Sequence, residues 1–331
     1  MSEPPPSALT DVIEEDTRAV LPVSGLAGLE AVEAGSEGRK RRGFGIGAWL
    51  AVGWLVLIVG LALLAPVLPL EDPKETIADI TNKGPGADAG TAPGHILGGD
   101  QNGRDMLSRL IWGARSSLSV AAGAVLIGLI VGGFLGLVAG FYRGRLESLI
   151  SGALDIMLAI PPLVFALALV AVLSPAETGG QESGGLDLSR LLVLMIALGI
   201  VSTPILGRIT RASSLTWAER EFVLAARAQG AKASRLIWRE VLPNVLPAML
   251  SVALLGVAVV IVAEGGLAVL GVGVEPPTPS WGNIIAQARG DISTSPYIVF
   301  EPAILIFLTV LSLNYLGDVV RARTDIREGV L

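Results

Sequence analysis

The sequence predicts an all-α, polytopic integral membrane protein with six transmembrane helices. Three observations predict it. The 331-residue chain is 52% hydrophobic with a mean hydropathy of +0.66, above what a soluble globular domain carries. Its apolar residues gather into runs near 47–68, 118–141, 149–173, 191–207, 244–263 and 302–320, close to the length that crosses a bilayer as a helix. Its lysines and arginines fall mostly on one side of those runs.

The first run, Gly47 to Leu68, rises about 33 Å as a helix, enough to span the hydrocarbon core. A secretory signal peptide fits it poorly. Some 46 residues precede it, several of them acidic, and no small-residue cleavage site follows. The formal charge of −6 misleads about the membrane part. Residues 1–38 hold eight acidic residues against Arg18 alone, so the rest of the chain carries +1. Without aromatics or helical periodicity, residues 1–43 read as a disordered acidic tail that ends in the basic cluster Arg39–Arg42. With the N-terminus inside, 17 of 24 Lys and Arg lie inside. Both termini are therefore expected in the cytoplasm. The outer loop 69–117 and the inner loop 208–242 stand out by length, while 174–190 is a polar, Gly-rich connector.

The second span carries Gly128, Gly132, Gly136 and Gly140, one every four residues. On a helix they form one ridge without side chains, which marks close approach of another helix in this chain or in a partner. Pro161 and Pro162 interrupt the third span and free backbone carbonyls there. Asp155, six residues earlier, should face protein or water rather than lipid, as polar packing or as a substrate contact. Glu264, after the fifth run, poses the same question near the outer face.

The inner segment 216–243, TWAEREFVLAARAQGAKASRLIWREVLP, reads as a helix–turn–helix. Thr216 with Glu219 is expected to cap its first helix. Gly230 permits the turn, Ser234 to Glu240 forms a second short helix, and Pro243 opens the fifth span. Ala225, Ala226 and Ala228 allow a partner's backbone to come close. By physics alone an interfacial amphipathic helix explains the segment equally well.

The pattern Ala225-Ala226, Gly230, then Leu242-Pro243 resembles the coupling loop of binding-protein-dependent ABC importers. It departs from that pattern at Leu224, where many members have Glu, and at Glu240, where His or Ile is usual. A second block runs from His95 through Gly98, Asp100, Gly103, Arg104, Asp105 and Arg109 to Leu118. It is similar to the outer-loop signature of permeases of dipeptide, oligopeptide and nickel importers (DppC/OppC type), with Gly99 for a usual Thr and Ile96 for a usual Pro. Glu264–Gly273, the following PPTPSWGN, and Asn314–Asp318 with Arg321 resemble the same family, so that 44–331 is matched in order as a permease domain.

The resemblance implies a type I importer (MetI-like) permease in a bacterial inner membrane, with a second homologous permease chain as its neighbour. It also implies two cytoplasmic ATPase subunits or domains docked on 216–243, and an extracytoplasmic solute-binding protein. Peptides are the first expected cargo, with nickel chelates, glutathione or haem as alternatives. ATP and Mg would be bound by the ATPase partners. No cofactor, metal or nucleic acid is expected on this chain.

Residue chemistry points the same way. Each of the four lysines, Lys40, Lys74, Lys83 and Lys232, follows a residue other than Gly, so no phosphate-cradling Gly-Lys-Ser/Thr loop exists. The chain has no cysteine, which excludes disulfides and thiolate nucleophiles, and His95 is its only histidine, read as a local hydrogen-bonding residue. An intramembrane hydrolase needs a Ser–His or Ser–Lys pair or facing aspartates, and no span carries His or Lys. A passive channel has no need of the Ala-Ala, Gly, Leu-Pro segment.

Overall fold

A computed structural model describes residues 45–85, 95–174 and 189–328, with side chains as far as Arg323. The expected tail 1–43, its basic cluster and most of the 174–190 connector lie outside the described residues. Among the described residues nine helices have eight residues or more, and there is no strand beyond one isolated bridge, Gly99 to Asp105.

In chain order the helices are α1 (Ile46–Leu64), α2 (Met106–Tyr142), α3 (Arg145–Ala159), α4 (Pro162–Leu173), α5 (Arg190–Ala218), α6 (Glu221–Ala228), α7 (Leu242–Val269), α8 (Trp281–Ala288) and α9 (Tyr297–Glu328). Five helices, namely α1, α2, α5, α7 with the short turns before it, and α9, are each long and apolar enough to cross a membrane. The α3–α4 pair makes a sixth span, bent by 94°. The break sits at Ile160–Pro161, where the adjacent prolines remove two helical donors.

Two expected boundaries move. α2 starts at Met106, well before residue 118, because Asp105 caps it by accepting a hydrogen bond from the Ser108 amide at 2.7 Å. α5 runs on past residue 207 to Ala218, and this corrects the capping box expected at Thr216 and Glu219. Thr216 lies inside α5, and its hydroxyl donates back to the Ala212 carbonyl at 3.2 Å. Packing decides the matter. Trp217 and Ala218 are buried with Val223, Leu236 and Ile237, so the last turn of α5 belongs to a core and the chain breaks only after it.

The glycine ridge of α2 lies on α5 of the same chain. A Cβ at Gly132 would sit 2.3 Å from the Thr203 carbonyl oxygen, and one at Gly136 would sit 2.2 Å from that of Gly207. At Gly128 and Gly140 it would meet Ser202 and Ser214, at 2.9 and 2.6 Å. Lipid supplies no hydrophobic drive between helices, so this backbone-to-backbone dispersion contact is what seats α5 on α2. Small buried residues (Val120, Ala121, Ala124, Ala197) continue the seam into a main core, and Leu137, Trp217, Val223, Leu236 and Val245 form a second core at one end. Outward faces are apolar: Leu126, Ile130 and Phe134 of α2 are all exposed. α1 attaches to α9, where the Trp54 indole donates to the Thr309 hydroxyl at 3.1 Å.

Candidate functional site

Three groups of residues carry the chemistry, one at each end of the bundle and one beside the break in the third span. At the first end α6 projects from α5 as a hairpin arm. Its Val223 points into the second core and Ala226 is half-buried there, while Phe222, Leu224, Ala225 and Ala228 are exposed. Gly230 has φ +85° and ends the helix. The Ala231 amide donates to the Ala226 carbonyl at 3.1 Å, and the Gly230 amide to that of Arg227 at 3.0 Å, the paired bonds of a Schellman cap.

The return limb is one α turn, Ala233–Arg235, followed by a wide π turn, Leu236–Val241, that leads into α7. Pro243 lacks the N–H of a regular helix, and its ring would press on the Arg239 carbonyl. The wide turn opens the backbone there. Ala225, Ala226 and Gly230 thus share one arm. Leu242 is half-buried behind it on the same core, and Pro243 is exposed at the start of α7. Arginines brace the arm. Arg143 reaches Glu219 at 2.6 Å, Arg220 lies 5.3 Å from the Trp217 ring, and Arg227 lies 5.5 Å from the Phe141 ring.

At the other end the 95–109 block folds into a cap on the mouths of α2, α8 and α9. Asp100 is its hub and is 1% exposed. It accepts the Asn102 and Arg104 amides at 2.8 and 2.9 Å and Arg104 Nε at 2.7 Å, with Arg109 Nε 3.3 Å away. Arg104 also donates to Gln287 of α8 at 2.8 Å, and Arg109 to the Pro73 carbonyl at 3.2 Å. Asp105 caps α2 with one oxygen and holds His95 Nδ1 at 2.8 Å with the other, the local role expected of that histidine. Gly98 and Gly103 have φ +75° and +71°, and a Cβ on Gly98 would lie 1.9 Å from the Lys83 carbonyl oxygen.

Removing one arm of this hub has a definite expected cost. Arg104→Met leaves Asp100 with Arg109 and two amides but strips the Gln287 carbonyl of its donor, a loss of about 1–3 kcal/mol. A melt of the detergent-solubilised protein reads it, with exposed Lys74→Met as the control.

The polar residues within the spans separate into two kinds. Glu264 is 1% exposed, and both its oxygens are engaged, by Ser117 Oγ at 3.2 Å and Ser280 Oγ at 2.8 Å. Ser117 in turn accepts the Trp281 amide at 3.1 Å, and the Trp281 indole donates to the Leu110 carbonyl at 3.0 Å. Glu264 therefore pins α8 to α2 and α7. Asp155 is different. Its side chain is 60% exposed, 3.9 Å from Arg208 on α5. Pro161 and Pro162 are exposed at the bend above it. Arg208, Glu147 with its partner Arg211, and Gln287 were not singled out by sequence, and Trp281 was read only as part of the PPTPSWGN block. A charged or polar residue inside or beside a span was their only signal, and it does not reveal a partner.

Comparison with known proteins places this architecture. Residues 132–326 match the family model described as "Binding-protein-dependent transport system inner membrane component". The chain is 40% identical over 272 residues to the di/tripeptide transport system permease protein DppC of Pseudomonas aeruginosa, a match covering 82% of this chain and 85% of that one. It is 37% identical to a dipeptide transport system permease protein DppC of Alkalihalophilus pseudofirmus, covering 83% and 85%. It is 30% identical to the glutathione transport system permease protein GsiD of Pectobacterium atrosepticum, covering 82% and 84%. Among solved structures it resembles a chain of the MetNI methionine ABC transporter in inward-facing conformations. The TM-score is 0.54 at 19% identity, over 66% of this chain and 97% of that one, a likeness of fold alone. The matched span and the identity over most of the chain make this polypeptide a member of the binding-protein-dependent transport system inner membrane components, the permease subunits of ABC importers.

Proposed function

We propose that the chain is one of two homologous permease subunits that form the path for di- and oligopeptides across a bacterial inner membrane. The observation that carries this reading is the α6 arm. It ends in a rigid Gly230 cap, rests on its own core through Val223 and Ala226, and offers Leu224, Ala225 and Ala228 outward. Small exposed side chains on a braced helix suit docking in a groove of an ATPase subunit. Charge asymmetry supports a cytoplasmic position for the arm and both termini, with the 95–109 cap on the outer face toward a solute-binding protein that delivers cargo. Two ATPase subunits or domains hold ATP and Mg and do the hydrolysis. The permease exchanges inward- and outward-open packing as nucleotide binds the two states with different free energies. Relatives named for dipeptides and di/tripeptides support a peptide cargo, and those named for glutathione, itself a modified tripeptide, fit the same chemistry.

The test is reconstitution of the full complex with its solute-binding protein in proteoliposomes. Di- and tripeptides are expected to raise ATP turnover several-fold and to accumulate inside. Turnover that responds only to nickel chelates or haem overturns the peptide assignment.

A further inference from the structure

We propose that Asp155 and Arg208 form a station that holds the charged termini of a peptide in transit, an assignment that rests on the peptide reading above. Two ion pairs join α3 to α5, and they differ in kind. Arg211 places both Nε, at 3.1 Å, and Nη2 on the Glu147 carboxylate, and both side chains are largely covered, at 33% and 21% exposed. That pair is a tether. Arg208 and Asp155 stand 3.9 Å apart, beyond hydrogen-bond reach, with side chains 61% and 60% exposed. Each keeps nearly its full capacity for another ligand.

Their surroundings are wrong for lipid. On α3, Ser148, Gly152 and Ala159 share the face of Asp155 by helical spacing and are exposed, and a Cβ on Gly152 would meet nothing within 4 Å. The bulky exposed residues Leu146, Leu149 and Ile156 lie on the other sides of that helix. On α5 the exposed Ile205 flanks Arg208, but the carboxylate and guanidinium exposed together beside the small residues of α3 call for water or a polar ligand.

The break in the span adds a second signal. Pro161 and Pro162 have no N–H, so the Met157 and Leu158 carbonyls lose their helical donors. Pro161 lies about 9 Å along the helix from Asp155, and the two carbonyls about 3–5 Å. Irregular backbone at membrane depth persists only inside protein or along a water-filled cavity, and both prolines are exposed. The ensemble is a guanidinium fork beside a carboxylate and two carbonyls that lack their i+4 helical donors. Arg208 matches a terminal carboxylate with paired N–H donors, while Asp155 and the carbonyls accept from a terminal ammonium. No hydrogen bond between the two residues must be broken for a zwitterion to enter.

The chain has no cysteine, so G152C, one turn from Asp155 on the same exposed face, carries a unique label site in the reconstituted complex once partner cysteines are removed, with both station residues intact. Cationic methanethiosulfonate-ethylammonium is expected to label it, and saturating dipeptide on the binding protein during ATP turnover to slow labelling about 5-fold. R208Q is expected to lower dipeptide uptake about 10-fold, the loss of one charge-assisted contact, and to reduce the preference for a free dipeptide over its C-terminal amide. Position 152 closed to the reagent without peptide means the second permease chain covers this face, which overturns the station. So does labelling indifferent to peptide, or an unchanged free-to-amide ratio in R208Q. A wild-type complex that takes up no peptide fails the peptide reading itself, whereas silent variants in a complex that does take it up fail the station alone.

Discussion

Ala225→Trp is expected to leave a folded, membrane-inserted chain whose peptide-stimulated ATP hydrolysis and uptake fall about 10- to 100-fold, the effect of about 1–3 kcal/mol of overpacking at a docked surface. The methyl of Ala225 is exposed on the arm, so an indole there strikes nothing in its own chain and everything placed against it. The same substitution one residue on acts differently. Ala226 is half-buried against the core of Val223, Leu236 and Ile237, and Trp there disrupts the arm before any partner arrives. Gly230→Trp is a third case. Nothing stands within 4 Å of a Cβ, but φ +85° costs an L-residue about 1–2 kcal/mol and loosens the cap. Co-purification of the ATPase subunits, thermal stability of the permease and stimulated turnover separate the three. Only Ala225→Trp should spare stability while losing turnover. Wild-type stimulation in that variant would show that the outward face of α6 does not carry the contact.

The spans were legible because lipid forbids alternatives. Each must be apolar and must close its own backbone bonds, and that leaves a pattern of length and composition in one dimension. The glycine ridge and the Pro161–Pro162 break were legible for a similar reason, since a missing side chain or a missing N–H acts wherever the residue lies. What the sequence hid were partnerships. The ridge announced a close neighbour without saying that it was α5, whose Gly199 and Gly207 are separated by Thr203 at the middle four-residue step and so form no run of glycines. Thr216 and Glu219 had the spacing of a cap, yet the burial of Trp217 carried α5 through Thr216 and left Glu219 at its C-terminal end. Arg104, Asp105 and Arg109 looked too charged for the mouth of a membrane helix, which hid the true start of α2. Asp100 pairs with both arginines there, and Asp105 spends its oxygens on the Ser108 amide and His95. Glu264 offered no sign of its partners, because Ser117 and Ser280 are brought to it only by the fold.

Gly136→Leu is expected to prevent α2 and α5 from closing and to abolish the folded chain, whereas Gly133→Ala, a neighbour with nearly the same clearance, is tolerated. What stands in the way makes the difference. At Gly136 a Cβ would lie 2.2 Å from the Gly207 carbonyl oxygen and 2.9 Å from the Arg211 amide nitrogen, both backbone atoms of the facing helix. To reach ordinary contact distance the helices must part by more than about 1 Å along the whole seam, giving up dispersion at Gly128, Gly132 and Gly140 together. A single added methyl costs about 1–3 kcal/mol in a packed core, and leucine adds three more carbons with nowhere to go. At Gly133 the Cβ would meet the Met249 methyl at 2.4 Å, the far end of a flexible thioether that swings aside. Gly60→Leu serves as the neutral control, since nothing lies within 4 Å of its Cβ. Detergent-solubilised yield and melting temperature read all three. A Gly136→Leu protein melting within about 2 °C of wild type, less than 1 kcal/mol at this size, would mean that α5 does not rest on the ridge.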